Sequence, residues 1–169
     1  MKLITLKNKL VIASFVLWTS MLSCTKNTIL VDGDNDGAVD MTKPTINFKV
    51  ANGFPKPCEV LKAGDKFLLR VELQDNQELG SYSVDIHHNF DHHSHSTEVI
   101  SCALDPKKSA DNPFVHIKSY AIPGSTKKYL VEQEISIPAS IDKGDYHFML
   151  KVTDKSGWQQ IEGFSIKIN

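Results

Sequence analysis

Residues 137–158 read IPASIDKGDYHFMLKVTDKSGW. An apolar run closes at Ile137. Then come Ile141 and the pattern Asp142-x-Gly144-x-Tyr146, ahead of a segment whose apolar residues alternate. Tyr146, Phe148, Leu150 and Val152 fall on one face of an extended chain, and Asp154 to Trp158 form a turn. A tyrosine at the start of such a strand, its hydroxyl bonding back to the backbone just upstream, is the tyrosine corner of two-sheet sandwiches, where it marks the sixth strand.

Outward from this stretch the same period of two recurs. INFKV (46–50), KFLLRVELQD (66–75), SYSVDIHHNF (81–90), KYLVEQEISI (128–137) and IEGFSIKI (161–168) are short runs separated by proline, glycine and other turn residues. Phe67, Leu69, Val71 and Leu73 share one face, as do Tyr82, Val84, Ile86 and Phe90. Helical periodicity is almost absent. The pattern predicts an all-β domain over residues 44–169, an immunoglobulin-like antiparallel β-sandwich of about 7–8 strands. Phe148 stands where antibody domains carry a disulfide cysteine, so the sandwich is not of antibody type.

The 169 residues carry a formal net charge of −1. That total covers two unlike parts. Residues 1–23 hold Lys2, Lys7 and Lys9, no acid, and the apolar run LVIASFVLWTSML, which describes an export signal too short to span a bilayer comfortably. Residues 24–43 are small, polar and acidic and read as a tether. The remainder is acidic and has a single arginine, Arg70, so it lacks the basic surface that nucleic-acid binding requires.

Three cysteines are present. Cys24 follows the apolar run in MLSC, which resembles a bacterial lipobox: Ser23 fits, and Met21 stands where leucine is usual. A lipid on Cys24 would anchor the chain in a membrane of the bacterial envelope, as an outer-membrane lipoprotein facing the periplasm or the surface. Cleavage at an ordinary signal-peptidase site is the alternative. Cys58 and Cys102 remain as an even pair in an oxidising compartment. Bridging them would close a loop worth about 4 kcal/mol in the chain-entropy account; two free thiols are the other possibility.

All seven histidines lie between positions 87 and 147, and five of them crowd into HHNFDHHSH: His87, His88, His92, His93 and His95. Imidazole is the commonest metal ligand near neutral pH. In an extended chain His93 and His95 point the same way, and Asp91 offers a carboxylate as ligand or as acceptor for a ligating ring. Alternation puts His87 on the polar side of one strand and His147 on the polar side of another. The third and sixth strands of such a sandwich are neighbours, so these two histidines are expected side by side with the loop at 91–95 folded over them. The expected metal site is His87, His93, His95 and His147, with Asp85, Asp91 and His92 as further candidates. Zinc is the expected ion and tolerates such a nitrogen set well; copper(II) would also bind it tightly, and the residues do not separate the two. A solvated histidine-rich loop and a pH-responsive cluster are the blander readings. His88 belongs on the apolar face.

A second constellation, DGDNDGAVD, carries Asp32, Asp34, Asp36 and Asp40. Alternating carboxylates resemble the start of a calcium loop, but Lys43 stands where an EF-hand requires its last glutamate. A solvated acidic spacer competes with weak calcium binding in the tether.

Catalytic patterns are missing: no H-E-x-x-H, no G-x-S-x-G and no phosphate-binding glycine loop. The expectation is a non-enzymatic protein, a metal-dependent hydrolase being the remote alternative. A different class of function, an adhesion or assembly module with a protein or glycan partner, is equally compatible with the fold.

With the lipobox, the GDYHFMLKVTDKSGW stretch and DIHHNFDHHSH (85–95) in hand, the sequence resembles a family of uncharacterised Bacteroidetes lipoproteins, a domain-of-unknown-function group of immunoglobulin-like or E-set sandwiches. The resemblance covers roughly residues 44–169. It implies the fold and the envelope location and brings no activity with it.

Overall fold

A computed structural model describes residues 39–97 and 100–169. The export signal, Cys24, Asp32, Asp34 and Asp36 lie outside the described residues.

Eight strands form two sheets: β1 (Thr45–Asn47), β2 (Val60–Leu61), β3 (Lys66–Gln74), β4 (Leu79–His88), β5 (His116–Ala121), β6 (Lys128–Ser136), β7 (Gly144–Asp154) and β8 (Gln159–Ile168). The described residues contain no helix. The small sheet runs β1-β3-β6 and the large one β2-β8-β7-β4-β5. This is the expected immunoglobulin-like sandwich. Alternation is the reason it forms: in β3, Phe67, Leu69, Val71 and Leu73 are buried and their neighbours are not. Facing them from the large sheet are Val84, Ile86, Phe148, Leu150 and Val152, each fully buried.

Two strands lacked a signal in the sequence. β2 has only two residues, too few for a period, and it pairs with β8 in parallel, the one departure from antiparallel order. β5 is an edge strand whose residues are exposed or half-buried on both faces, so it shows no alternation. At the other end of the scale, the apolar run at 46–50 narrows to three paired residues, Thr45–Asn47.

The tyrosine corner is built as its motif requires. Tyr146 is fully buried. Its hydroxyl donates to the carbonyl of Asp142 and accepts the backbone N–H of Phe114 at 3.1 Å.

The described residues between β4 and β5, 89–97 and 100–115, bond to β7 and β8, among other places through the Asn89 N–H, which donates to the Asp145 carbonyl at 2.8 Å. A disulfide joins Cys58 to Cys102, with the Cα atoms 5.5 Å apart. The Asp105 N–H donates to Asp145 Oδ2 at 2.7 Å, and Lys167 Nζ pairs with Asp105 at 2.6 Å. This long connection is therefore tied to the sheet at several points, and it is the segment that carries the histidines.

Candidate metal centre

His87 and His147 occupy directly opposed positions on β4 and β7. Direct opposition in an antiparallel pair brings Cβ atoms to about 5 Å, and the two ring centres are 5.5 Å apart. The rest of the cluster comes from the connection after β4. The chain turns at Asn89–His92, where the His92 N–H donates to the Asn89 carbonyl at 3.1 Å and His92 takes a φ of 56°. That left-handed residue sends the backbone back across the sheet and puts His93 and His95 over the two strand histidines.

The His95 ring lies flat on His147, centroids 3.6 Å apart and planes 3° from parallel. It is 5.2 Å from His87 and 4.6 Å from His93. His87, His95 and His147 each direct a ring nitrogen to within 4.8 Å of the others'. Two nitrogens on one tetrahedral zinc are about 3.4 Å apart, so closing this group on an ion takes displacements on the order of an ångström and, because a lone pair lies in the plane of its ring, rotation of the loop-borne His95 out of its stack on His147.

Two carboxylates orient the rings. His87 Nδ1 lies 2.8 Å from Asp85 Oδ1, and His93 Nδ1 lies 2.6 Å from Asp91 Oδ1. Each pairing commits one ring nitrogen to an aspartate and leaves the other for an ion, the arrangement in which a carboxylate fixes the tautomer of a ligating histidine. The His93 bond also holds the Asp91 carboxyl below its ordinary value. Asp85 and Asp91 thus stand behind the rings.

His147 is the most constrained member. It is fully buried, and neither of its ring nitrogens has a hydrogen-bond partner. Burial first, and then the neighbouring His95, His87 and His93, push its pKa down to about 3, so the ring is neutral at pH 7 with a lone pair available. Space for it comes from Gly163 on β8. A Cβ there would sit 2.8 Å from His147 Cε1 and 2.6 Å from Thr97 Oγ1. The position beside the ring has to be glycine, which sequence reading did not single out because a lone glycine in a strand has many uses.

The remaining candidates fall elsewhere. His92 Nε2 lies 3.6 Å from Asp145 Oδ2 and faces that buried carboxylate rather than the cluster. His93 is the outermost member, stacked 5.8 Å from His87 at the solvent edge. His88 packs on Phe90 at 5.0 Å. A cleft of about 370 Å³ opens beside the cluster, lined in part by His92, His93, Ser94, His95 and Leu104. Asp40 is buried far from the histidines, next to Asp75 and Asp154. Trp158, the one tryptophan among the described residues, is half-buried, and its indole N–H donates to the Asp40 carbonyl at 2.8 Å.

Among solved structures the chain is similar to Spo0M, a sporulation control protein from Bacillus subtilis, at 8% identity and a TM-score of 0.40, over 75% of this chain and 49% of that one. It is also similar to a family 123 glycoside hydrolase from Clostridium perfringens that hydrolyses glycolipid glycans, at 16% identity and a TM-score of 0.35, over 66% of this chain and 22% of that one. The chain spans about half the length of the first and about a fifth of the second. No curated protein matches it. A family model matches residues 30–169, and on that match the chain belongs to the family described as Domain of unknown function (DUF4625).

Proposed function

We propose that this is an exported, lipid-anchored protein of the bacterial cell envelope whose immunoglobulin-like domain binds a transition metal, zinc first, without catalysing a reaction. His87, His95 and His147 are the ligands, and His93 closes the coordination sphere. The observation that carries this reading is His147, a fully buried imidazole with both nitrogens unpartnered. A buried polar group without a partner costs about 1–3 kcal/mol, and coordination removes that cost at one nitrogen. Four nitrogen ligands make a closed structural site, and both nearby carboxylates are engaged on histidine rings, which leaves no free general base beside the ion. The role is capture, sensing or bracing of the histidine loop.

Elemental analysis of protein prepared without a histidine tag tests the metal. About one equivalent of zinc, or uptake of one equivalent with a rise in melting temperature, is expected. Less than about a tenth of an equivalent, with no thermal response to zinc or copper, would sink the idea. His147→Ala and His87→Ala should each abolish uptake, whereas His93→Ala should weaken it. The anchor rests on the MLSC stretch. Labelled palmitate should enter the wild-type chain and not Cys24→Ser, and an unlabelled wild type would overturn that part alone.

A further inference from the structure

Three aspartates unused by the histidine site meet at the opposite end of β4 and β7. Asp154 closes β7 opposite Leu79, the first residue of β4, whereas His147 lies opposite His87 near that strand's other end. Seven strand steps put the two ends roughly 23 Å apart. Asp75 sits in the turn by which the chain crosses from β3 in the small sheet to β4 in the large one. Asp40 precedes β1.

Each carboxylate has one oxygen held by the protein. Asp40 Oδ1 accepts from the Thr42 N–H at 3.0 Å and from Asn76 Nδ2 at 3.1 Å. Asp75 Oδ1 accepts the N–H groups of Gln77 and Glu78 at 2.8 and 2.7 Å. Asp154 Oδ1 accepts the Trp158 N–H at 2.8 Å. The second oxygen of each, Oδ2, is buried and has no hydrogen-bond partner. Asp40 and Asp154 are themselves only 5% and 4% exposed. One oxygen from each of the three lies within 4.8 Å of the other two. Among the described residues no lysine, arginine or histidine forms an ion pair with any of them.

Three carboxylates this close repel one another, and their buried Oδ2 atoms have given up water with no hydrogen bond in return. A single hard cation answers both faults. We propose that Asp40, Asp75 and Asp154 bind one calcium ion through their Oδ2 atoms. The donors are all oxygen, which selects a hard cation over zinc or copper. Three oxygens spread evenly around one calcium stand roughly 4.2 Å apart, so oxygens within 4.8 Å of one another reach a common ion by side-chain shifts of a few tenths of an ångström; magnesium, with bonds near 2.1 Å and strict octahedral demands, fits less well. The ion would fasten three separate stretches at one end of the sandwich: the chain ahead of β1, the crossing turn and the β7–β8 hairpin. The site is independent of the metal reading of the histidines, because it shares no ligand with them.

The test uses the full chain stripped of metal. Calcium titration should give one equivalent bound and a higher melting temperature. Terbium in its place should luminesce on excitation of tryptophan, since the Trp158 indole bonds to Asp40. Asp75→Asn and Asp154→Asn keep the size and the accepting oxygen, and each should weaken calcium binding about tenfold or more. In the absence of calcium both should melt no lower than wild type, because a repelling charge is gone. His87→Ala with His147→Ala should leave calcium binding unchanged. Replacing Asp32, Asp34 and Asp36 together by asparagine should do the same. Loss of binding in that triple variant, with Asp75→Asn and Asp154→Asn still binding, would overturn the proposal. So would calcium-free destabilisation of the two asparagine variants with their calcium affinity intact, which would make the cluster purely structural.

Discussion

Gly163 and His147 show how one missing side chain determines what another can do. The imidazole lies where a Cβ on β8 would otherwise be. Gly163→Ala should push the ring out of the cluster, lowering stability by about 1–3 kcal/mol and weakening zinc uptake, as read from chemical denaturation and metal titration. A second consequence of the same burial concerns acid. His147 has its pKa depressed to about 3 from an ordinary 6.5, so below pH 6.5 the unfolded chain takes up a proton that the folded one refuses. Its contribution to stability is complete above pH 6.5 and is lost as pH falls toward 3. The melting temperature of metal-free protein should fall through that window, and His147→Gln should flatten the fall. The clustering of the histidines was legible residue by residue, because alternation and i, i+2 spacing are local. The aspartate triad was not. Only Asp40 stood in an acidic run, and its partners are brought to it by the sandwich.

At the scale of the strand, the tyrosine corner carries the greatest weight. Tyr146 ties the start of β7 to Asp142 and to Phe114, in two segments that the Asp142 carboxylate also joins by accepting the Asp111 and Asn112 N–H groups. Tyr146→Phe keeps the ring and removes both bonds, leaving the Phe114 N–H without this acceptor. The expected loss is about 1–3 kcal/mol in urea unfolding; a loss below a few tenths would show that water takes over both bonds. β7 and β4 could be read from sequence because Tyr146, Phe148, Leu150 and Val152 in one, and Tyr82, Val84 and Ile86 in the other, alternate toward the core. β5 buries little on either side, so no period marks it, and β2 is too short to have one. Sequence legibility here follows burial: β6 lies at an edge yet declares itself through buried Val131 and Ile135, whereas β5 and β2 bury too little to do so.

Across the whole molecule, the order of the large sheet does what no local pattern could. Placing β4 beside β7 makes neighbours of residues 87 and 147, and the same pairing puts residues 79 and 154 together at the far end. Two chemically unlike clusters, histidine at one pole and aspartate at the other, are therefore both anchored on β7, through His147 and Asp154. The sandwich class and the neighbouring third and sixth strands sufficed to anticipate the first juxtaposition. The second needed the register of the β3–β4 crossing, which depends on contacts between sheets.

The Cys58–Cys102 bridge gives this architecture a further property. The segment it pins is the same one that brings His93 and His95 to the strands, so with zinc bound as proposed a covalent and a coordinate fastening would act on one stretch of backbone. Each would hold that stretch in addition to the contacts of Asp105. Limited digestion should then behave as a two-key lock: slow cleavage between the histidines and Cys102 when zinc or the disulfide is present, and rapid cleavage when the protein is both reduced and stripped of metal. Equal cleavage in all four conditions would mean that the contacts of Asp105 with Asp145 and Lys167 hold the segment unaided. With zinc bound as proposed, such a loop would open only where oxidising conditions and metal both run short.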